Sequence, residues 1–464
     1  MKKLSEITKT EDDFVYGILG YTKQSESDRS CLLKYSGRQL EMIVPFEKND
    51  SEVAGWFTSF RAFLPNLDSK LELPKQLWVT DVGSRKRFIL INPKVVKSSV
   101  VHNNMGSLGF GTLVARYIVV GNPEIDYVAI NEMKTECPEL LDWSKMGSVV
   151  SRFKINEDNT CDSYFAGYES GEEMRITHNG IECFLFSDPN AIQMSKPKNK
   201  IIIENNVSFK TKSKNVLEIF EHEKLHQALN GLLSILQWRS VGMETVQVRS
   251  YADYQTKLTG EKTIPFSRDI LSEGFPDWEK PKRSKNYAFS LQDIGKIGFR
   301  KWFQLYEECN RGLSSLVYLA RNHQHLTLET QINELAHCFV EIAYCLGQRE
   351  GKDVSALRFA ELVELVLNSI EDLYKELPIA GKASFISDFK NTYNSVKHTE
   401  PLRGQKERVE WLEPTQMYQV VNASKAFLVI WIAAELGASK ESVYGNIEYE
   451  NSVIDAFDRW RRYE

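Results

Sequence analysis

At 464 residues the chain is long enough for two or three domains, each with its own core, which excludes a small module held together by disulfides or metal. A hydrophobic content of 42%, with 11% aromatic and 26% charged residues, excludes a disordered or fibrous chain. With 58 basic against 63 acidic residues the net charge is −5, so bulk DNA binding is excluded as the main role, and a nucleic acid partner must meet a local basic patch.

The start, Met1-Lys2-Lys3-Leu4-Ser5-Glu6, is basic but has no apolar core behind it, so it does not read as a secretory signal. The seven cysteines (Cys31, Cys137, Cys161, Cys183, Cys309, Cys338, Cys345) are scattered and contain no CxxC pair. That pattern points away from a disulfide framework or cysteine zinc site and toward the reducing cytoplasm.

From the start to about residue 210 short β-type runs alternate with turn chemistry: 13–21, 40–46, 76–82, 87–92, 112–120 and 201–209, rich in β-branched and aromatic residues. The clearest hairpin joins 76–82 to 87–92 through Gly83-Ser84, with Pro93 closing its second strand. The glycine-rich stretch 105–111 reads as a turn between strands, because a phosphate cradle requires a helix after it and a β-run follows. One short helix is predicted near 138–143. The lysine clusters at 196–200 and 210–214 read as solvated loops.

Between 216 and 238 the period becomes helical, with Leu225, Leu229, Leu232, Leu233 and Leu236 on one face, and a strand-like segment 244–251 follows. This helix contains His222-Glu223-Lys224-Leu225-His226, a match to H-E-x-x-H, where helical spacing brings two imidazoles to one face and the glutamate serves a zinc-bound water as base. Glu221 and Lys224 put charge where zinc helices usually avoid it. An amphipathic helix whose histidines flank a leucine stripe is therefore the preferred reading, and no third ligand stands out.

The stretch 274–285 combines prolines, glycine and basic residues, which makes it a linker and places a boundary near residue 290. Beyond it helical patterns dominate: 296–322, 328–348, 354–377, 382–398, 414–436 and 440–463, a bundle of five or six members. Arg321, Asn322, His323 and His325 crowd one helix end and read as capping groups. The longest apolar run, 426–434, is shorter than the roughly 20 residues a bilayer demands and reads as a buried helix.

One short segment carries chemistry. In 385–398, Phe385, Phe389, Tyr393 and Val396 form an apolar stripe, and Ser387, Asn391, Asn394 and His398 a polar one about a quarter-turn away. Pro401 stops the helix just past His398. Metal-free RNA cleavage needs a base for the 2′-hydroxyl, an acid for the leaving oxygen, and positive charge for the phosphorane. A histidine, with an ordinary pKa of roughly 6.5, supplies either proton role near neutral pH, and a dimer brings a second copy.

The segment Thr392-Tyr393-Asn394-Ser395-Val396-Lys397-His398 resembles the signature T-R-N-x-x-x-H of the ApeA-like anti-phage proteins, which pair a β-rich ApeA N-terminal domain with a C-terminal HEPN ribonuclease domain. Threonine, asparagine and histidine match, and Tyr393 stands where the family has arginine. The resemblance covers most of the chain. It also extends to Phe339-Val340-Glu341-Ile342-Ala343-Tyr344, which is similar to an earlier family helix with an acidic residue facing the site.

The resemblance implies an α+β protein: a β-rich sensor or regulatory domain over 1–290 and an all-α HEPN-like bundle over 291–464. It implies a metal-independent endoribonuclease without cofactors, a homodimer through the helical domain, cutting RNA, tRNA included, on a phage-derived trigger. His398 becomes general acid or base, Asn394 orients it or holds the scissile phosphate, and Glu341 positions either. Lys390, Lys397 or Arg403 replaces the missing guanidinium, though lysine offers only a point charge. Two rival expectations stand beside this one: a catalytically silent HEPN protein that binds RNA or a partner, and a zinc metallopeptidase using His222, Glu223 and His226.

Overall fold

The structure, a computed structural model, describes residues 14–22, 25–35, 40–47, 51–57, 72–103, 106–156, 161–169, 171, 173–194, 200–257, 259–272, 287–371, 382–397 and 413–447. The β-rich part opens with β1 (Phe14–Thr22), β2 (Ser25–Tyr35) and β3 (Leu40–Glu47), then a short helix α1 (Ser51–Trp56). Next come β4 (Gln76–Asp81), β5 (Arg87–Ile91), β6 (Lys94–Asn103), β7 (Gly106–Ala115), β8 (Tyr117–Val120) and β9 (Ala129–Glu136). Helix α2 (Pro138–Ser144) precedes β10 (Val149–Ile155), β11 (Cys161–Tyr168), β12 (Glu173–His178), β13 (Ile181–Ser187), β14 (Asn190–Met194), β15 (Lys200–Glu204) and β16 (Val207–Glu218). Helix α3 (Ile219–Gln237), β17 (Glu244–Arg249) and β18 (Ser267–Ser272) complete it.

Fourteen of these strands form one antiparallel sheet in the order β12-β13-β16-β9-β17-β18-β8-β5-β4-β1-β2-β3-β7-β6, and β10-β11 and β14-β15 are separate ribbons. The predicted hairpin is β4-β5, paired from Gln76↔Ile91 to Thr80↔Arg87. Alternation explains which layers form. In β5, Phe88 and Leu90 enter the core around α1, while Ile89 and Ile91 turn to a second core with Trp78, Tyr117 and Tyr127. Strands covered on both faces lose the polar alternation, so β5 reads as a continuous apolar run.

The glycine-rich stretch is not a turn. Residues Gly106–Ala115 are strand β7, paired with both β3 and β6. A Cβ at Gly109 would lie 2.1 Å from the Phe46 ring, and one at Gly111 1.9 Å from that of Phe57. Glycine is used here because two stacked rings, 5.0 Å apart, lie against the strand. The run 112–120 divides at Arg116 into β7 and β8, because β8 leaves that pairing to lie between β5 and β18.

The helical part runs α4 (Leu291–Glu308), α5 (Asn310–Asn322), α6 (Leu328–Glu350), α7 (Phe359–Asn368), α8 (Lys382–Lys397), α9 (Pro414–Leu436) and α10 (Lys440–Ile447). Ser290 and Asp293 form a capping box at the start of α4. The single helix expected over 296–322 breaks at Cys309, whose backbone (φ −105, ψ 31) is not helical.

The linker candidate 274–285 lies outside the described residues. Side chains on either side of it share one apolar core, in which Phe209 of β16 stacks on Phe303 of α4 at 6.0 Å. The indole of Trp302 donates to the Ala228 carbonyl of α3 at 2.9 Å. Helix α9 is long and apolar enough to cross a membrane by length and composition, but 83% of its apolar window is buried inside the protein. Every residue from Val420 to Ala433 is covered, as in the central helix of a bundle.

Candidate functional site

Helix α8 divides into two faces. Phe385 and Phe389 are fully buried and meet Phe339 of α6 at 6.5 and 5.4 Å. Phe427 of α9 closes on Phe385 at 4.9 Å, and Phe359 of α7 on Phe389 at 5.1 Å. Thr392 is fully buried and its hydroxyl donates to the Asp388 carbonyl at 2.6 Å; that of Ser395 donates to the Thr392 carbonyl at 2.7 Å. Both hydroxyls are spent on their own helix, so neither is available to a substrate.

Lys390, Asn391 and Lys397 are exposed and Asn394 is half-buried. Lys390, Asn394 and Lys397 follow at spacings of four and three, which puts two ammoniums and an amide along one edge. The Asn394 amide makes no hydrogen bond among the described residues. The Tyr393 ring packs on Phe359 at 4.6 Å, and the Lys397 ammonium donates to its hydroxyl at 3.1 Å while lying 5.2 Å from the ring centre. The arginine position of the motif is thus occupied by a packed ring carrying a lysine on it. His398 and Arg403 lie outside the described residues.

Glu341 is not brought to this edge. It shares a face of α6 with Cys338, Ile342 and Cys345, and a Cβ on Gly312 of α5 would lie 3.1 Å from its own. The α6 face that meets α8 is the one bearing Phe339. The acidic residue expected to point at the site therefore backs onto α5 instead.

The H-E-x-x-H segment occupies the first turns of α3, where His222, Glu223 and His226 are all buried. Thr135 Oγ1 lies 2.8 Å from His226 Nδ1, and Thr211 Oγ1 2.9 Å from both His226 Nε2 and His222 Nδ1. Ser213 Oγ lies 3.3 Å from His222 Nε2. All four ring nitrogens face strand hydroxyls, and Thr211 can donate to one ring while accepting from the other. Burial lowers the His222 pKa to about 4 and holds that of His226 well below the ordinary range. Glu223 forms an ion pair with Arg116 and accepts from Gln227 at 2.6 Å. No group of three or more histidine, cysteine or acidic side chains placed to hold a metal ion occurs among the described residues. The zinc reading loses its ligands to the sheet.

Glu223 and His226 nevertheless line a small cleft, partly open to solvent, with Arg116, Tyr117, Asn230 and Thr245. At the end of α5 the capping reading holds for Asn322, which donates to the Tyr318 carbonyl at 2.8 Å, and for His323, whose Nδ1 lies 3.1 Å from the Ala320 carbonyl. Arg321 instead turns inward to Asn230 and Ser234 of α3. Two further inward polar groups, Trp238 and Lys425, gave no sign in the sequence.

Two family models match the chain: ApeA N-terminal domain 1 over residues 74–302, and Apea-like HEPN over residues 321–442. No curated protein and no solved structure matches it.

Proposed function

The chain belongs to the ApeA-like family of anti-phage defence proteins, with an ApeA N-terminal domain before a HEPN domain, and from that premise we propose that its helical region is a metal-independent endoribonuclease. The observation that carries this reading is the division of α8. Phe385, Phe389, Thr392 and Ser395 are committed to packing, whereas Lys390, Asn394 and Lys397 stand on a partly exposed edge and His398 is the next residue in the chain.

In this mechanism His398 takes the 2′-hydroxyl proton or returns one to the leaving 5′-oxygen, and a second copy of the chain supplies the other role. Asn394 orients the imidazole or holds the scissile phosphate. Lys397, with Lys390 and Arg403, stabilises the phosphorane where the family uses a guanidinium. A point charge gives up the bidentate geometry, so cleavage is slower than with arginine. RNA, tRNA included, is the substrate, the cytoplasm is the setting, and the β-rich region acts as sensor of a phage-derived trigger.

A second reading is favoured by one contact. Because Tyr393 is packed on Phe359 at the arginine position, the domain can bind RNA or a partner without cutting. The deciding experiment is incubation of total RNA and tRNA with purified protein in excess EDTA, comparing the native chain with His398→Ala after circular dichroism has shown both to be folded. Cleavage by the native chain alone supports the nuclease. RNA retention on a filter without cleavage supports the silent form, and equal cutting by both proteins overturns the role of His398.

A further inference from the structure

The end of α3 and the middle of α9 meet at a buried ammonium. Lys425 of α9 is only 7% exposed, and its Nζ lies 4.7 Å from the centre of the Trp238 ring. Trp238 caps α3 in a left-handed conformation (φ 48, ψ 44) and is 5% exposed; its indole nitrogen is buried without an acceptor among the described residues. The His323 ring lies 6.1 Å from that of Trp238, in the half-exposed turn after α5. Lys425 forms no ion pair with a carboxylate among the described residues.

A lysine taken out of water is ordinarily paired, because an uncompensated ammonium is costly to bury. Contact with an indole face recovers only part of that cost. Burial alone lowers the Lys425 pKa to about 8, and the His323 pKa is lowered by burial, with Lys425 and His325 adding repulsion. The buried ammonium and the unanswered indole N–H are two donors without an acceptor among the described residues, and the His323 ring, its Nδ1 facing the Ala320 carbonyl, stands at their rim.

We propose that this seam is an anion site that takes the phosphoryl group of a small molecule such as a nucleotide. The Lys425 ammonium and the Trp238 indole are its inner donors, and His323 guards its open side. Burial favours a small ligand over a polymer backbone. Trp238 falls in the region matched to the ApeA N-terminal domain, and His323 and Lys425 fall in the HEPN region. Occupancy therefore ties the two matched regions together, and phosphate binding here stands or falls independently of RNA cleavage.

The test melts the full chain in sodium phosphate and in sodium chloride at equal ionic strength, beside Lys425→Met. Phosphate is expected to raise the native Tm by about 3 °C over chloride. In Lys425→Met that difference disappears, while the melt in chloride is no lower, because methionine fills the volume without a charge. Equal melting of the native chain in the two salts, or an undiminished increment in the variant, overturns the site. Trp238→Phe keeps the ring and deletes the donor, and titration calorimetry with inorganic phosphate should show about tenfold weaker binding. Unchanged affinity there removes the indole from the site. A short single-stranded RNA that displaces phosphate would overturn the small-ligand assignment, and failure to displace it supports that assignment.

Discussion

Two helices of this protein carry histidine motifs, and they differ in what surrounds them. In α3 the spacing of a zinc helix is present, but three strand hydroxyls face every ring nitrogen of His222 and His226 and burial keeps both rings neutral. In α8 the motif is incomplete, yet Lys390 and Lys397 are exposed and Asn394 half-buried along one edge. A motif becomes a site only where its polar atoms are left unsatisfied by the fold; spacing alone does not tell the two cases apart.

Exchanging the roles of the two helices tests this comparison, and the largest effect falls on α8. His398→Ala should cut EDTA-resistant RNA cleavage by about 10³-fold with the Tm unchanged, within the range of one lost acid–base group. In α3 the loss is of stability. His226→Ala leaves Thr135 and Thr211 short of a partner and opens space beside Phe209, whose ring centre is 4.7 Å from the imidazole. A destabilisation of about 4 kcal/mol is expected in urea melts, with residual cleavage per folded molecule intact. A variant that melts like the native chain would remove the claim that this histidine is structural.

Acid sharpens the contrast further. His222 is neutral in the folded protein until about pH 4, whereas unfolded chains protonate histidine near 6.5. Its contribution is complete above pH 6.5 and is lost as the pH falls toward 4, on the order of 3 kcal/mol, with His226 acting in the same direction. Urea titrations at pH 7, 6 and 5 measure this, and His222→Gln should flatten the profile. The smallest effect returns to α8: Tyr393→Arg should raise cleavage about tenfold by restoring a guanidinium, at about 1 kcal/mol of stability for the lost packing on Phe359. No gain in rate would mean that Lys397 already fills the role or that the domain does not cut.

Much of the fold is legible in the sequence where one periodicity dominates. The hairpin β4-β5 and the helices α3, α6 and α9 fall where alternation or leucine spacing places them. Strand β7 is misread because the reason for its glycines, the rings of Phe46 and Phe57, arrives from distant parts of the chain. The break at Cys309 has no proline or glycine to announce it. At the site, the stripes of α8 are readable from their helical period, but Glu341 is not, since turning it toward α5 or α8 depends on how α6 rolls on Phe339. Lys425 is hidden for the opposite reason: α9 is covered all round, so a lysine in its middle has no solvent face to mark.

The aromatic contact between β16 and α4 bears on how this protein can be handled as parts. Phe299 and Phe303 pack against Phe209, and a Glu307 carboxylate oxygen lies 3.0 Å from His178 Nε2. A fragment beginning at residue 291 would carry those rings uncovered to water, a sticky surface that invites aggregation. Expression trials of the helical half should therefore fare better with the exposed aromatics recoded, and a toxic or inert phenotype from the bare fragment would report on that surface as much as on the chemistry of α8.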